Sequence, residues 1–257
     1  MQIGPITIST LGIMTALGFF FGSFLFWQKG REEHYEEDSL MDGVLLVSLA
    51  GFVMSRLIYV ILNFSERINF FKFVSQPGFY WQGALLGGTT ALFFYCQALK
   101  WDFFKIADLA VFGVTLGLIL TKVGQFFSQA FPSPYFSWLN LVEVGLLLIT
   151  YRLLCVFDKN YRTYEWYKNK KGEASPGFLW ASFLGLTSLI YSGSLVLQKW
   201  PHPISVLQGF NLAFLLLALL IFYWRSGRGL TIISRSVKKS KGAKKGFRLK
   251  AGMEAAK

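Results

Sequence analysis

Three ionisable side chains stand deep within long apolar runs of this sequence, away from their ends: Arg56, Lys122 and Glu143. A charge within hydrocarbon is costly, so such residues mark a pathway, a pair or a site. Two cations and one carboxylate leave a net positive locus suited to an anionic phosphate, which Arg and Lys hold through charge-assisted hydrogen bonds. Glu143 is then the ionisable group available as a general base. Polar companions sit nearby in sequence: Tyr59 three residues after Arg56, Gln125 three after Lys122, and Gln82, Gln208 and Asn211 in other apolar runs. The chain has no nucleophile elbow, no phosphate-binding glycine loop and no His/Glu metal pattern. No cofactor is indicated.

The elements that must position these residues are membrane spans. The chain has 257 residues, is 53% hydrophobic, and has a mean hydropathy of +0.44. Charged residues make up 16%, against about a quarter in a soluble domain, and they fall between apolar runs rather than alternating with apolar residues. Crossing about 30 Å of hydrocarbon takes about 20 apolar residues. Seven segments qualify: Pro5–Trp27, Gly43–Asn63, Gly78–Ala98, Ile106–Ser128, Phe136–Phe157, Gly177–Gln198 and Ile204–Trp224. The first is expected to stay as a helix, since Met1–Gly4 carries no Lys or Arg and no cleavage pattern follows. The fold class expected is an all-α integral membrane bundle. It comprises a transmembrane domain over residues 1–225 and a basic tail over 226–257.

Orientation follows from basic residues, which collect in cytoplasmic loops. With the N-terminus outside and the C-terminus cytoplasmic, inner segments hold 21 of the 26 Lys and Arg. The outer segments hold only Arg67, Lys72 and Lys199. In this orientation His34 and His202 lie on opposite sides, so no metal site can be built from them. Cys96 and Cys155 fall near inner helix ends and are expected to be free thiols. Phe70–Val74 reads as a short interfacial helix. The tail has ten Lys and Arg and one acid, Glu254, and is expected to rest on an anionic leaflet. No specific nucleic acid is expected as a partner.

Depth brings the polar residues together. At about 1.5 Å per residue, Arg56 lies about 10 Å below the outer surface, Lys122 about 9 Å and Glu143 about 10 Å. Gln82, Gln208 and Asn211 share that layer. Ser48, Ser55, Arg56, Tyr59 and Asn63 form one helical stripe, and Thr115, Lys122, Gln125 and Gln129 form another. We therefore expect one cavity lined by Arg56, Lys122 and Glu143, with Gln82 and Gln125 at its mouth. The alternative is an ion pair that merely braces the bundle. Gly113 and Gly117, with Gly83, Gly87 and Gly88 on the third span, read as helix-packing positions.

In order and spacing these positions resemble prolipoprotein diacylglyceryl transferase, a bacterial inner-membrane family of seven spans with the same orientation. Ile3-Gly4-Pro5 and Leu11-Gly12-Ile13-Met14 resemble its opening. Ser55-Arg56-Leu57-Ile58-Tyr59-Val60 resembles its Gly-Arg-x-x-Tyr-Val element, and Tyr80-Trp81-Gln82-Gly83-Ala84-Leu85-Leu86-Gly87 its Ser-Phe-His-Gly-Gly-x-x-Gly. Phe103-Phe104-Lys105-Ile106-Ala107-Asp108 resembles the lead into the signature helix. The signature, Gly-Arg-x-Gly-Asn-Phe-x-Asn-Gly-Glu, stands here as Thr121-Lys122-Val123-Gly124-Gln125-Phe126-Phe127-Ser128-Gln129-Ala130. Leu141-Val142-Glu143 falls where the family has Leu-Tyr-Glu.

The resemblance implies transfer of a diacylglyceryl group from phosphatidylglycerol to a lipobox cysteine thiol. Arg56, Tyr59, Lys122 and Gln125 would hold the phosphate, and Glu143 and Gln82 would occupy the catalytic positions. Its substrates would be phosphatidylglycerol, or another anionic lipid, and a lipobox peptide. Several residues depart from the pattern. The family's His is Gln82, which is no base near neutral pH. The signature's Arg is Lys122, which lacks the bidentate fork, and its terminal Glu is Ala130. The first-span Tyr is Leu11, and the late Arg of the sixth span is Thr187. Two readings follow: a divergent transferase, or an inactive family member that binds lipid, a lipoprotein or another membrane protein.

Overall fold

The computed structural model describes residues 2–3, 6–7, 10–62, 78–127, 134–161, 175–198 and 205–225. Its described residues form seven helices and one minimal hairpin. Strands β1 (Gln2–Ile3) and β2 (Ile6–Thr7) pair antiparallel, with Gln2 opposite Thr7 and Ile3 opposite Ile6. The helices are α1 (Thr10–Glu32), α2 (Glu37–Leu62), α3 (Trp81–Ala98), α4 (Phe103–Phe127), α5 (Pro134–Asn160), α6 (Phe178–Gln198) and α7 (Val206–Arg225). Within lipid every backbone N–H and C=O must be satisfied inside its own segment, which is why these apolar runs are helical.

The seven spans read from the sequence are thus present as helices, with shifted ends. The first begins at Thr10 rather than Pro5, since β2 occupies Ile6–Thr7, and it continues through Lys29 and Arg31 to Glu32. Those two cations sit in its last turn, where they suit the helix dipole, as Glu37 and Asp38 do in the first turn of α2. Six helices are long and apolar enough to cross a membrane. The exception is α3, which has 18 residues and carries Gln82, Gly83, Gly87, Gly88, Thr89 and Thr90. Its polar and small residues face neighbouring helices more than lipid. Large apolar side chains cover the bundle's outside, among them Phe20 and Leu49, each 65% exposed, and Ile61, 67% exposed. An apolar surface this extensive belongs in hydrocarbon.

Glycine sets the closest helix pairs. α1 packs chiefly on α4, and α2 chiefly on α3. A Cβ on Gly22 would lie 2.6 Å from the carbonyl oxygen of Gly113, and one on Gly113 would lie 2.3 Å from that of Gly22. On α3, a Cβ at Gly83 would meet the Ser55 backbone at 2.6 Å, and one at Gly87 the Ala50 carbonyl at 2.6 Å. Backbones approach this closely only where side chains are absent.

The inner end of the bundle is tied by charges. Lys29 Nζ pairs with Asp158 Oδ2 at 2.9 Å, joining α1 to α5, and lies 3.8 Å from the centre of the Phe112 ring. Asp108, near the start of α4, accepts the N–H of Gly177 at 2.6 Å and of Trp180 at 2.8 Å. Those groups belong to the free N-terminal end of α6, so a carboxylate two helices away acts as its cap. Gly177 has φ 107°, a conformation that favours glycine. Asp102 caps α4 itself, accepting the Phe104 N–H at 3.0 Å. Cys96 is buried and Cys155 half-buried, both as free thiols.

Candidate functional site

A cavity of about 370 Å³ runs between α1, α2, α3 and α4, with α6 behind it. Glycines make room for it: Gly18, Gly22, Gly43, Gly51, Gly88, Gly113 and Gly117 all contribute to its wall. The remainder of the lining is mostly apolar, including Phe26, Leu40, Val47, Leu85, Leu92 and Ile106. Because α1 and α2 pack on α4 and α3 far more than on each other, the cavity's open side lies between them, toward lipid. Phe19 and Phe52 flank this opening at 48% and 59% exposure. A space of this size and apolarity suits hydrocarbon, not a hydrophilic substrate.

The site residues expected from sequence fall into three sets of contacts, none of which lines that cavity. Lys122 Nζ and Glu143 Oε2 form an ion pair between α4 and α5, with the two side chains 15% and 2% exposed. The ammonium also lies 5.0 Å from the centre of the Tyr191 ring on α6. Gln82 Nε2 donates to Asn211 Oδ1 at 3.1 Å, linking α3 to α7 in a fully buried contact. Arg56 Nη1 donates to the carbonyl of Gly78 at 2.8 Å, with its guanidinium 5.4 Å from the ring centres of both Tyr59 and Phe79. Gln125 is half-buried in the penultimate residues of α4. Asn63, Ser128, Gln129, Ala130, His202, the Phe70–Val74 segment and the basic tail lie outside the described residues.

The polar layer and the cavity meet at one wall. Trp81 lines the cavity and stacks on Tyr191 at 4.5 Å, and Tyr191 also faces the ammonium of Lys122. Behind that wall the layer extends through Gln208, whose amide donates to Ser192. Gln82 Oε1, Asn211 Nδ2 and Ser188 Oγ keep hydrogen-bonding capacity not used by the described residues. Sequence reasoning missed one participant. Tyr191 is an aromatic in an apolar run with no charge beside it, so only the fold reveals its position between Trp81 and Lys122. At the other end of the bundle it also passed over Asp108, an ionisable residue inside a span that caps α6.

The family model for prolipoprotein diacylglyceryl transferase matches residues 1–233. The chain belongs to this family. Proteins named phosphatidylglycerol–prolipoprotein diacylglyceryl transferase match it in several bacteria. One from a Thermoanaerobacter species is 31% identical over 133 residues, covering 50% of this chain and 51% of that protein. One from Caldanaerobacter subterraneus is 30% identical over 133 residues, covering 50% and 51%. One from Deinococcus radiodurans is 30% identical over 133 residues, covering 49% and 39%. The chain thus aligns with about half the length, or less, of the curated relatives it matches. It is a multi-pass membrane protein of a bacterial family.

Proposed function

We propose that this chain is a lipid-binding member of the prolipoprotein diacylglyceryl transferase family, in the bacterial inner membrane, whose transferase activity is lost or much reduced. The observation that carries this reading is the Lys122–Glu143 ion pair. Transfer to a thiol requires a base for the S–H proton and cations for the departing phosphate. Here the ionisable candidate base and one of the two cations are engaged with each other, and both are substantially buried. Gln82 stands where the resemblance puts the family's His, and its amide is bonded to Asn211. A glutamine takes no proton near neutral pH. Arg56, which also donates to the Gly78 carbonyl, would contact a phosphate or glycerol headgroup together with Tyr59 and Gln125, and the apolar cavity offers room for the lipid's hydrocarbon.

The partners proposed are phosphatidylglycerol or another anionic phospholipid, and a lipobox peptide or a second membrane protein. The basic tail would add attraction to an anionic leaflet. Purified protein in phosphatidylglycerol-containing vesicles should leave a lipobox peptide unmodified under conditions where a catalytically competent relative modifies it. General-base assistance commonly supplies about 10²–10⁴ in rate, so the expected deficit is at least of that order. Native mass spectrometry should nevertheless find an anionic phospholipid retained. Robust peptide lipidation that disappears in Glu143→Gln would overturn the inactive reading and make Glu143 the base.

A further inference from the structure

The cavity extends further down than one leaflet. On α3 its wall runs from Trp81 to Tyr95, which at 1.5 Å per residue is about 21 Å. On α4 it runs from Ile106 to Thr121, about 22 Å by the same rise. A leaflet's share of the hydrocarbon core is only about 15 Å, so the slot passes the midplane and ends near the opposite face. An extended chain of about sixteen carbons measures on the order of 20 Å, more than the ~15 Å depth of its leaflet.

The lower end is built as a stop. Leu40 is fully buried, and Tyr95 is fixed by an O–H bond to the Ser39 carbonyl at 2.6 Å. Trp101 stands edge-on to Tyr95 at 6.2 Å and to Tyr35 at 4.9 Å. Hydrogen bonding and ring packing hold this aromatic floor against displacement by a flexible chain. The side opening between α1 and α2 lets one chain of a two-chain lipid enter while the other stays in the bilayer.

We propose that Leu40, Tyr95 and Trp101 form the floor of a slot for one acyl chain of a phospholipid, and that the floor sets the longest chain accepted. This rests on the lipid-binding reading above. A way to shorten the slot without disturbing helix packing is available at Gly88, about 10 Å along α3 from Trp81. It lines the cavity, and a Cβ there would make only ordinary contacts with Val47, at 3.6 and 3.8 Å.

The test uses the full chain reconstituted in vesicles of phosphatidylglycerol with 12-, 18- or 22-carbon chains, with retained lipid read by native mass spectrometry. Wild type should retain the 12- and 18-carbon lipids and disfavour the 22-carbon lipid about tenfold or more. Gly88→Leu should lose the 18-carbon lipid by about tenfold and the 12-carbon one by clearly less, since the roughly 10 Å left above it expels more methylenes of the longer chain. Trp101→Ala should raise retention of the 22-carbon lipid relative to the 18-carbon one. Equal retention of all three lengths by wild type would overturn the length limit while leaving lipid binding intact. Equal changes for every length in Gly88→Leu would place the chain elsewhere. Failure of wild type to retain any of the three would instead sink the lipid-binding reading itself.

Discussion

The helix α4 has two faces with different contents. Toward α1 and α2 it presents Ala110, Gly113, Gly117 and Thr121, and the space beside them is open to lipid. Toward α5 and α6 it presents Lys122, which is taken up by the carboxylate of Glu143 and the ring of Tyr191. One face is defined by what is left out, the other by polar groups that satisfy one another. Binding hydrocarbon requires only room and apolar walls, whereas group transfer requires charges still available to a substrate. The contrast teaches that one helix can border an apolar space on one side and carry mutually satisfied polar groups on the other.

The largest effect should come from filling a glycine on the open face. Gly113→Leu would drive a side chain into the Gly22 carbonyl, only 2.3 Å from the new Cβ. Separating α1 from α4 is expected to cost more than about 4 kcal/mol, read as loss of monodisperse protein in detergent. A Gly113→Leu protein with wild-type stability would show that α1 is not held by that contact. The next effect belongs to the paired face. Glu143→Leu leaves the Lys122 ammonium without its counter-ion and should destabilise by about 3 kcal/mol, whereas Lys122→Met combined with Glu143→Leu should recover most of that. Thermal unfolding of both singles and the double closes the cycle, and additive losses would mean that the charges do not depend on each other. Gln82→Leu should cost less, about 1 kcal/mol, as one interhelical hydrogen bond in a membrane is worth little. A loss of several kcal/mol would mark Gln82 as the hub of a larger network. Gly145→Ala should be near neutral or slightly stabilising, because no atom lies within 4 Å of a Cβ there. A marked loss at Gly145 would break the distinction between glycines that pack and glycines that do not.

Much of the fold was legible because hydrocarbon imposes a one-dimensional rule. Length and apolarity located α4, α6 and α7 to within a few residues, and the third segment is a helix despite its polar composition. Helix ends were less legible. Lys29, Arg31, Glu37 and Asp38 extend α1 and α2 past the apolar runs, since charges stabilise helix termini that project from the core. For the site, polarity inside apolar runs was readable and the partners were not. Arg56 bonds to the Gly78 carbonyl, Gln82 to α7, and Lys122 to α5. A stripe on a helix names a face but not the helix opposite it. That neighbour is set by close packing such as Gly22 on Gly113, which needs both partners to be known.

Asp108 has a consequence in time as well as space. Its hydrogen-bond donors lie 69 and 72 residues further along the chain. At about 5–20 residues per second, synthesis delivers them roughly 4–14 s after the carboxylate has been made. During that interval the donors do not yet exist, so this contact forms only once the start of α6 has been made. It is a late-closing contact, expected to fasten the last third of the chain to helices made before it.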